Sequence, residues 1–178
     1  NFLYQKMAEP KEDNICGEHR FNEIFRKHSK DLYQFLYYKY GADNNPQDLV
    51  QEAFVKLWNN CHKIVPAKAK SFLFTVANNQ MLTDLAKKKT AQIYASQNPS
   101  TGHSHEHPQY VLEEQEYSEK LTAAIGALSE EQRVAFLLNR IEGKKHQEIA
   151  EMLGISRKAV EKRIYTALAN LRKNIEYL

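Results

Sequence analysis

Cysteine, glycine and proline are all scarce in this chain of 178 residues. Each scarcity narrows what the protein can be. The two cysteines, Cys16 and Cys61, form no CxxC pair and cannot by themselves supply a four-ligand zinc site. Their expected state is two reduced thiols in a cytoplasmic protein. Six glycines and five prolines, with charged residues falling at helix-like intervals, argue for an all-helical chain. No stretch of eighteen apolar residues exists to span a bilayer, and no signal-peptide pattern opens the chain. There is no nucleophile–base pair, P-loop or metal-ligand cluster, so neither an enzyme nor a cofactor is expected.

What is present is enough apolar material for real cores, 42% of the residues, and a mildly basic balance with a net charge of +3. The positive charge is concentrated near the C-terminus. Between residues 144 and 173 stand Lys144, Lys145, Arg157, Lys158, Lys162, Arg163, Arg172 and Lys173, against only Glu148, Glu151 and Glu161. The same stretch carries a helix–Gly–helix pattern. Ile149, Ala150 and Leu153 mark a first helix, and Gly154 can end it with a positive φ. Ser156 suits the N-cap of a second helix. In that helix Val160, Ile164, Ala167, Leu168 and Leu171 share one face, while Lys158, Glu161, Lys162, Tyr165 and Thr166 share the other. A small Ala150 allows a close, steep crossing. This is a helix-turn-helix pattern, whose second helix can enter a DNA major groove.

Taken from the start, residues 1–17 lack periodicity and read as a loose arm. The spacing of Phe21, Ile24, Phe25, Leu32, Phe35, Leu36 and Tyr40 predicts one amphipathic helix over 18–40. A turn over 41–46 leads to a second helix ending near Asn60, with Leu49, Val50, Ala53, Phe54, Leu57 and Trp58 inward. Its outer side is acidic and polar, with Asp48, Gln51, Glu52 and one aliphatic, Val55. A third helix is expected over 68–89. It is apolar almost all round through Phe72, Leu73, Phe74, Val76 and Ala77, then polar at Asn78, Asn79, Gln80, Thr83 and Asp84, and ends in Lys87, Lys88 and Lys89. Residues 90–109 are rich in turn formers and read as a flexible linker. His103, His105 and His107 alternate there, a spacing that would align them for a metal, but no further ligand lies nearby. A helix over 110–128 follows, then Ser129 and Gln132 in capping-box register, opening a helix that stops at Gly143.

Three of these stretches together resemble a known family. Asp48-Leu-Val-Gln-Glu-Ala-Phe-Val-Lys-Leu-Trp58 resembles the helix by which extracytoplasmic-function sigma factors of the sigma-70 family grip core RNA polymerase. Phe72-Leu-Phe-Thr-Val-Ala-Asn-Asn-Gln-Met-Leu-Thr-Asp84 resembles their minus-ten recognition helix. Residues 128–172, from Leu128-Ser-Glu-Glu-Gln-Arg133 through the helix-turn-helix, resemble their promoter-binding C-terminal domain. The chain departs from the family's usual residues at Phe72, Asn78, Lys87 and Lys88.

The resemblance implies an all-α protein of two small helical domains, 18–89 and 110–178, joined by the 90–109 linker, the second a four-helix helix-turn-helix domain. It implies a cytoplasmic sigma factor that carries core polymerase to promoter DNA and requires no cofactor. Asp48, Gln51, Glu52, Val55 and Trp58 would bind the core. Asn78, Asn79, Asp84, Lys87 and Lys88 would read the minus-ten element as opened strand, with the 61–69 loop holding a flipped-out base. Arg157, Lys158, Glu161, Lys162 and Arg163 would read the minus-thirty-five duplex, where Glu161 could accept from a cytosine amine. A membrane-anchored anti-sigma factor would be the regulatory partner. The competing reading is a stand-alone helix-turn-helix regulator with an N-terminal sensor domain, which leaves the acidic 48–58 helix unexplained.

Overall fold

Pro46 and Pro66, residues that end helices elsewhere, each begin one here, because a first-turn position needs no N–H donor. In the computed structural model, which describes residues 14–96 and 119–176, seven α-helices follow one another and no strand occurs among the described residues. They are α1 (Glu18–Tyr40), α2 (Pro46–Asn59), α3 (Pro66–Ser96), α4 (Glu119–Gly126), α5 (Glu130–Arg140), α6 (His146–Leu153) and α7 (Arg157–Glu176). Single 3-10 turns at Ala42–Asn44 and Cys61–Lys63 join the first three. Among the described residues, those up to Leu32 with Gln47–Ala86 form one unit, and Tyr33–Pro46 with those from Lys87 onward form a second.

The first unit is built on the inward faces that the spacing predicts. Ile24 and Leu32 of α1, Leu49, Val50, Ala53, Phe54 and Leu57 of α2, and Leu73, Ala77 and Met81 of α3 are buried. Each large side chain so buried contributes about 1.5–3 kcal/mol. Three expectations fail here. Cys16 and Cys61 are not free thiols but a disulfide, with a Cα–Cα separation of 4.9 Å. The backbone beside it is also tied, since the Ile15 N–H donates to the Cys61 carbonyl and Ile15 is wholly buried. A spacing of 45 residues carried no sign that the arm returns to this turn. Trp58, expected inward, is 45% exposed, because its ring packs edge-on against Phe21 at 5.0 Å beside the core rather than within it. The third helix is longer at both ends than 68–89: it opens at Pro66 and runs through Thr90–Ser96, where no Gly or Pro interrupts it. The first part of the predicted linker is therefore helix.

In the second unit, Ile125, Leu128, Val134, Leu137, Leu138, Ile149, Met152, Val160, Ile164, Ala167 and Leu171 form the core, and α7 packs against α4, α5 and α6. Ser129 caps α5 by accepting from the Gln132 N–H at 3.3 Å. The predicted capping box is only half formed, because the Gln132 side chain accepts instead from Asn170 Nδ2 of α7. The helix ends at Arg140, before Gly143. Of the helix expected over 110–128, the described part is α4; residues 110–118, and His103, His105 and His107, lie outside the described residues.

A buried cation organises this unit. Arg133 is 4% exposed, and its guanidinium donates to the carbonyls of Tyr38, Lys39, Gly126 and Leu128 at 3.0–3.2 Å. The last carbonyls of a helix have no intrahelical donor, and those of α1 and α4 find theirs here. Tyr38 adds a bond from its hydroxyl to Glu142 at 2.7 Å; burial and that carboxylate push the phenol well above its ordinary pKa.

Candidate polymerase and nucleic-acid surfaces

The helix-turn-helix forms as its residues require. Gly154 takes φ 67° after α6, with its N–H on the Ala150 carbonyl. The Ile155 N–H reaches the same carbonyl at 3.1 Å. Ser156 Oγ then accepts from the Ala159 N–H at 3.2 Å and starts α7. With Val160, Ile164, Ala167 and Leu171 inward, α7 turns Lys158, Lys162, Tyr165 and Thr166 to solvent. No described residue of the unit covers this face, and Tyr165 is 79% exposed.

The five residues expected on the minus-thirty-five surface do not behave alike. Arg157, Lys158 and Lys162 are exposed along an open groove that His146, Ser156, Glu161 and Tyr165 also line. Arg163 points elsewhere: its guanidinium pairs with Glu131 of α5 at 3.1 Å. Glu161 is held on its own helix by the Arg157 Nε–H at 2.9 Å. Sequence reasoning passed over His146 as a site residue and left Tyr165 out of the DNA-facing set. The only signal for Tyr165 was its place on the polar face.

The outer side of α2 has a different character. Asp48, Gln51 and Glu52 are exposed, and neither carboxylate has a salt-bridge partner among the described residues. Beside them Val55 is 58% exposed and Trp58 is 45% exposed, and Phe25 of α1, stacked edge-on against Phe54 at 4.9 Å, is equally open. Sequence reasoning placed Phe25 with the core face of α1. The patch is thus apolar and aromatic with acidic neighbours, a composition suited to a protein partner with a basic rim.

On α3, Asn79 is exposed and Asn78 half-buried. Asp84 accepts long bonds from Gln80 Nε2, 3.4 and 3.5 Å, while Gln80 Oε1 accepts from Lys56 of α2 at 2.8 Å. Lys87 is exposed, and Lys88 donates to Asn44 at 3.0 Å. No group of three metal-ligating side chains occurs among the described residues, and no described helix is long and apolar enough to cross a membrane.

Family models match both parts of the chain: sigma-70 region 2 over residues 24–90 and sigma-70 region 4 over residues 118–171. The chain belongs to the sigma-70 family. It is an RNA polymerase sigma factor of the extracytoplasmic-function branch, a non-enzymatic regulator of transcription initiation. It is 26% identical to the ECF RNA polymerase sigma factor SigX of Bacillus subtilis over 90% of this chain and 86% of that one. Its fold is similar to that of the sigma factor RpoE of Bartonella quintana, solved with the anti-sigma factor NepR, with a TM-score of 0.54, 20% identity, and coverage of 88% of this chain and 96% of that one. It is also similar to that of CnrH, solved with the cytosolic domain of CnrY, with a TM-score of 0.52, 23% identity and 90% of each chain covered. In this sigma factor the acidic-aromatic patch and the polar residues of α3 fall inside the region 2 match, and the helix-turn-helix inside the region 4 match.

Proposed function

We propose that the outer side of α2, through Asp48, Gln51, Glu52, Val55 and Trp58, docks this sigma factor on core polymerase, and that α7 reads the minus-thirty-five element as duplex. In this reading Asn78, Asn79, Asp84, Lys87 and Lys88 of α3 meet the minus-ten element as opened strand. The two functional domains are 18–89 and 110–178, and the protein works in the cytoplasm. The observation that carries the reading is the contrast between two open helix faces: carboxylates with no salt-bridge partner among the described residues around exposed Trp58 and Val55 on α2, and Lys158, Lys162 and Arg157 on α7.

A helix in the major groove supplies base contacts and phosphate contacts together. A single small DNA-binding module buries only about 600–1,000 Å², so neither element alone gives tight promoter binding. Core polymerase holding both domains raises the effective concentration of the second contact once the first is made. Opening the minus-ten duplex costs a few kcal/mol per unstacked base, which polar and basic contacts along α3 offset in part. Because the relatives RpoE and CnrH were solved with NepR and CnrY, an anti-sigma factor, membrane-anchored, is the regulator in this reading.

Run-off transcription with purified core on genomic fragments tests it. The sigma factor confers start-site selection that core alone lacks, and the Asp48→Lys/Glu52→Lys variant does not. Normal transcription from that variant overturns the docking assignment. DNA binding undiminished in the absence of core, with no effect on initiation, would instead mark a stand-alone regulator.

A further inference from the structure

The geometry points to Glu161 as a positioning residue that aims Arg157 end-on at a guanine, and not as a reader of cytosine. This rests on the assignment of α7 to duplex DNA. Among the described residues, Glu161 is the lone carboxylate lining the groove. Its Oε1 takes the Arg157 Nε–H at 2.9 Å and stands 3.6 Å from His146 Nδ1, at the start of α6. That second distance is too long for a hydrogen bond, so the imidazole lies beside the carboxylate without bonding it. Glu161 is thus held by its own helix, next to the start of α6.

The consequence falls on Arg157. A guanidinium has five N–H donors in a rigid fork. With Nε engaged, the side-on approach that uses Nε and one terminal nitrogen is blocked. The two terminal nitrogens have no partner among the described residues, and together they match guanine O6 and N7 in the major groove. Arg157 lies in the first turn of α7, the part of a recognition helix that meets base edges. The i,i+4 bond also removes rotamer freedom that a free Arg would lose on binding. Energetically the exposed pair contributes little to folding, so its effect should appear in sequence choice and not in stability. A carboxylate committed in this way is poorly placed to accept from a cytosine amine.

The test is selection by holoenzyme, the full-length chain on core polymerase, from a promoter library randomised through the minus-thirty-five element. Wild type should enrich guanine at one position, and Arg157→Ala should flatten that preference by about tenfold. Glu161→Ala and Glu161→Gln should weaken the same position several-fold, with no further loss in the double variant with Arg157→Ala. Arg157→Lys should keep the salt dependence of binding yet lose the guanine preference, since the point charge remains but the fork does not. If the Glu161 variants instead lose a cytosine at a different position, additively with Arg157→Ala, Glu161 is a direct reader and the inference is wrong. It is equally wrong if they leave every position unchanged. A library that wild type fails to sort, while initiating normally from intact promoters, would overturn the duplex assignment itself. Thermal melts of each variant should match wild type; a lowered melt would mean that the pair serves folding, against the inference.

Discussion

Helices α2 and α7 are both amphipathic and both leave one face open, yet the open faces are opposites. On α2 the exposed residues are carboxylates beside aromatic and aliphatic groups; on α7 they are cations beside one tyrosine. The difference separates two kinds of recognition. An apolar, aromatic patch gains by shedding water and anchors on a few residues, so its affinity changes modestly with salt. A cationic face gains by releasing counterions from a polyanion, so its affinity falls steeply with salt. In the proposed reading, one chain carrying both faces offers chemically distinct surfaces to a protein and to a nucleic acid.

Exchange of charge is the strongest way to break that contrast. Asp48→Lys/Glu52→Lys places like charges against a basic partner, a cost of several kcal/mol, so affinity for core should fall about 100-fold or more in a pull-down or titration. Lys158→Glu/Lys162→Glu should leave core binding intact. Equal loss from both pairs would mean that the faces do not divide the work. A second asymmetry is covalent. The chain's one cysteine pair lies in the first unit, while the second unit depends on packing and on Arg133. A bridge closing a loop of this size stabilises by about 2–4 kcal/mol. Dithiothreitol, or Cys16→Ser with Cys61→Ser, should therefore lower the denaturant midpoint of the first unit and spare that of the second. A midpoint insensitive to reductant would deny the bridge that role.

The two regions were also unequally legible. Periodicity located α1, α2, α6 and α7 closely, because one apolar stripe per helix suffices when each helix buries a single face. It was weaker for α3, whose apolar first half has no stripe and whose final turns were mistaken for linker. Contacts decided by distant partners were not readable at all. Nothing at residues 16 and 61 announced a bridge. Nothing in a capping-box register told that Gln132 would turn to Asn170 or Arg163 to Glu131. Arg133 stands in the sequence only as the end of the Leu128–Arg133 run, with nothing to mark it as the buried donor on which two helix ends converge. Among the residues proposed to bind, the exposed face was readable for most, but which side chains pair within the protein, as Arg163 does with Glu131, was not.

Salt separates the faces in finer steps. Lys158→Ala and Lys162→Ala should each lower the slope of log affinity for promoter duplex against log salt by about 0.9. Trp58→Ala should weaken core binding with no change in that slope. An unchanged slope in a lysine variant would mean that its ammonium meets no phosphate.

Acid offers the smallest effect, confined to the first unit. His28 of α1 is half-buried, and its pKa lies below the ordinary 6.5, chiefly through burial, then through Lys27 and Lys70, against a smaller opposing pull from Asp31. A histidine whose pKa is lower when folded takes up its proton more readily when unfolded. Stability is therefore unaffected at pH well above 6.5 and declines as pH falls through 6.5 toward the folded value. His28→Gln, which cannot protonate, should remove that decline. The denaturant midpoint of the variant should thus gain on wild type between pH 7.5 and 5.5, by less than either of the changes described for charge reversal or reduction. The gain should be confined to the transition that reductant also shifts. A constant difference between the two proteins across that range would mean that the imidazole is equally easy to protonate folded and unfolded.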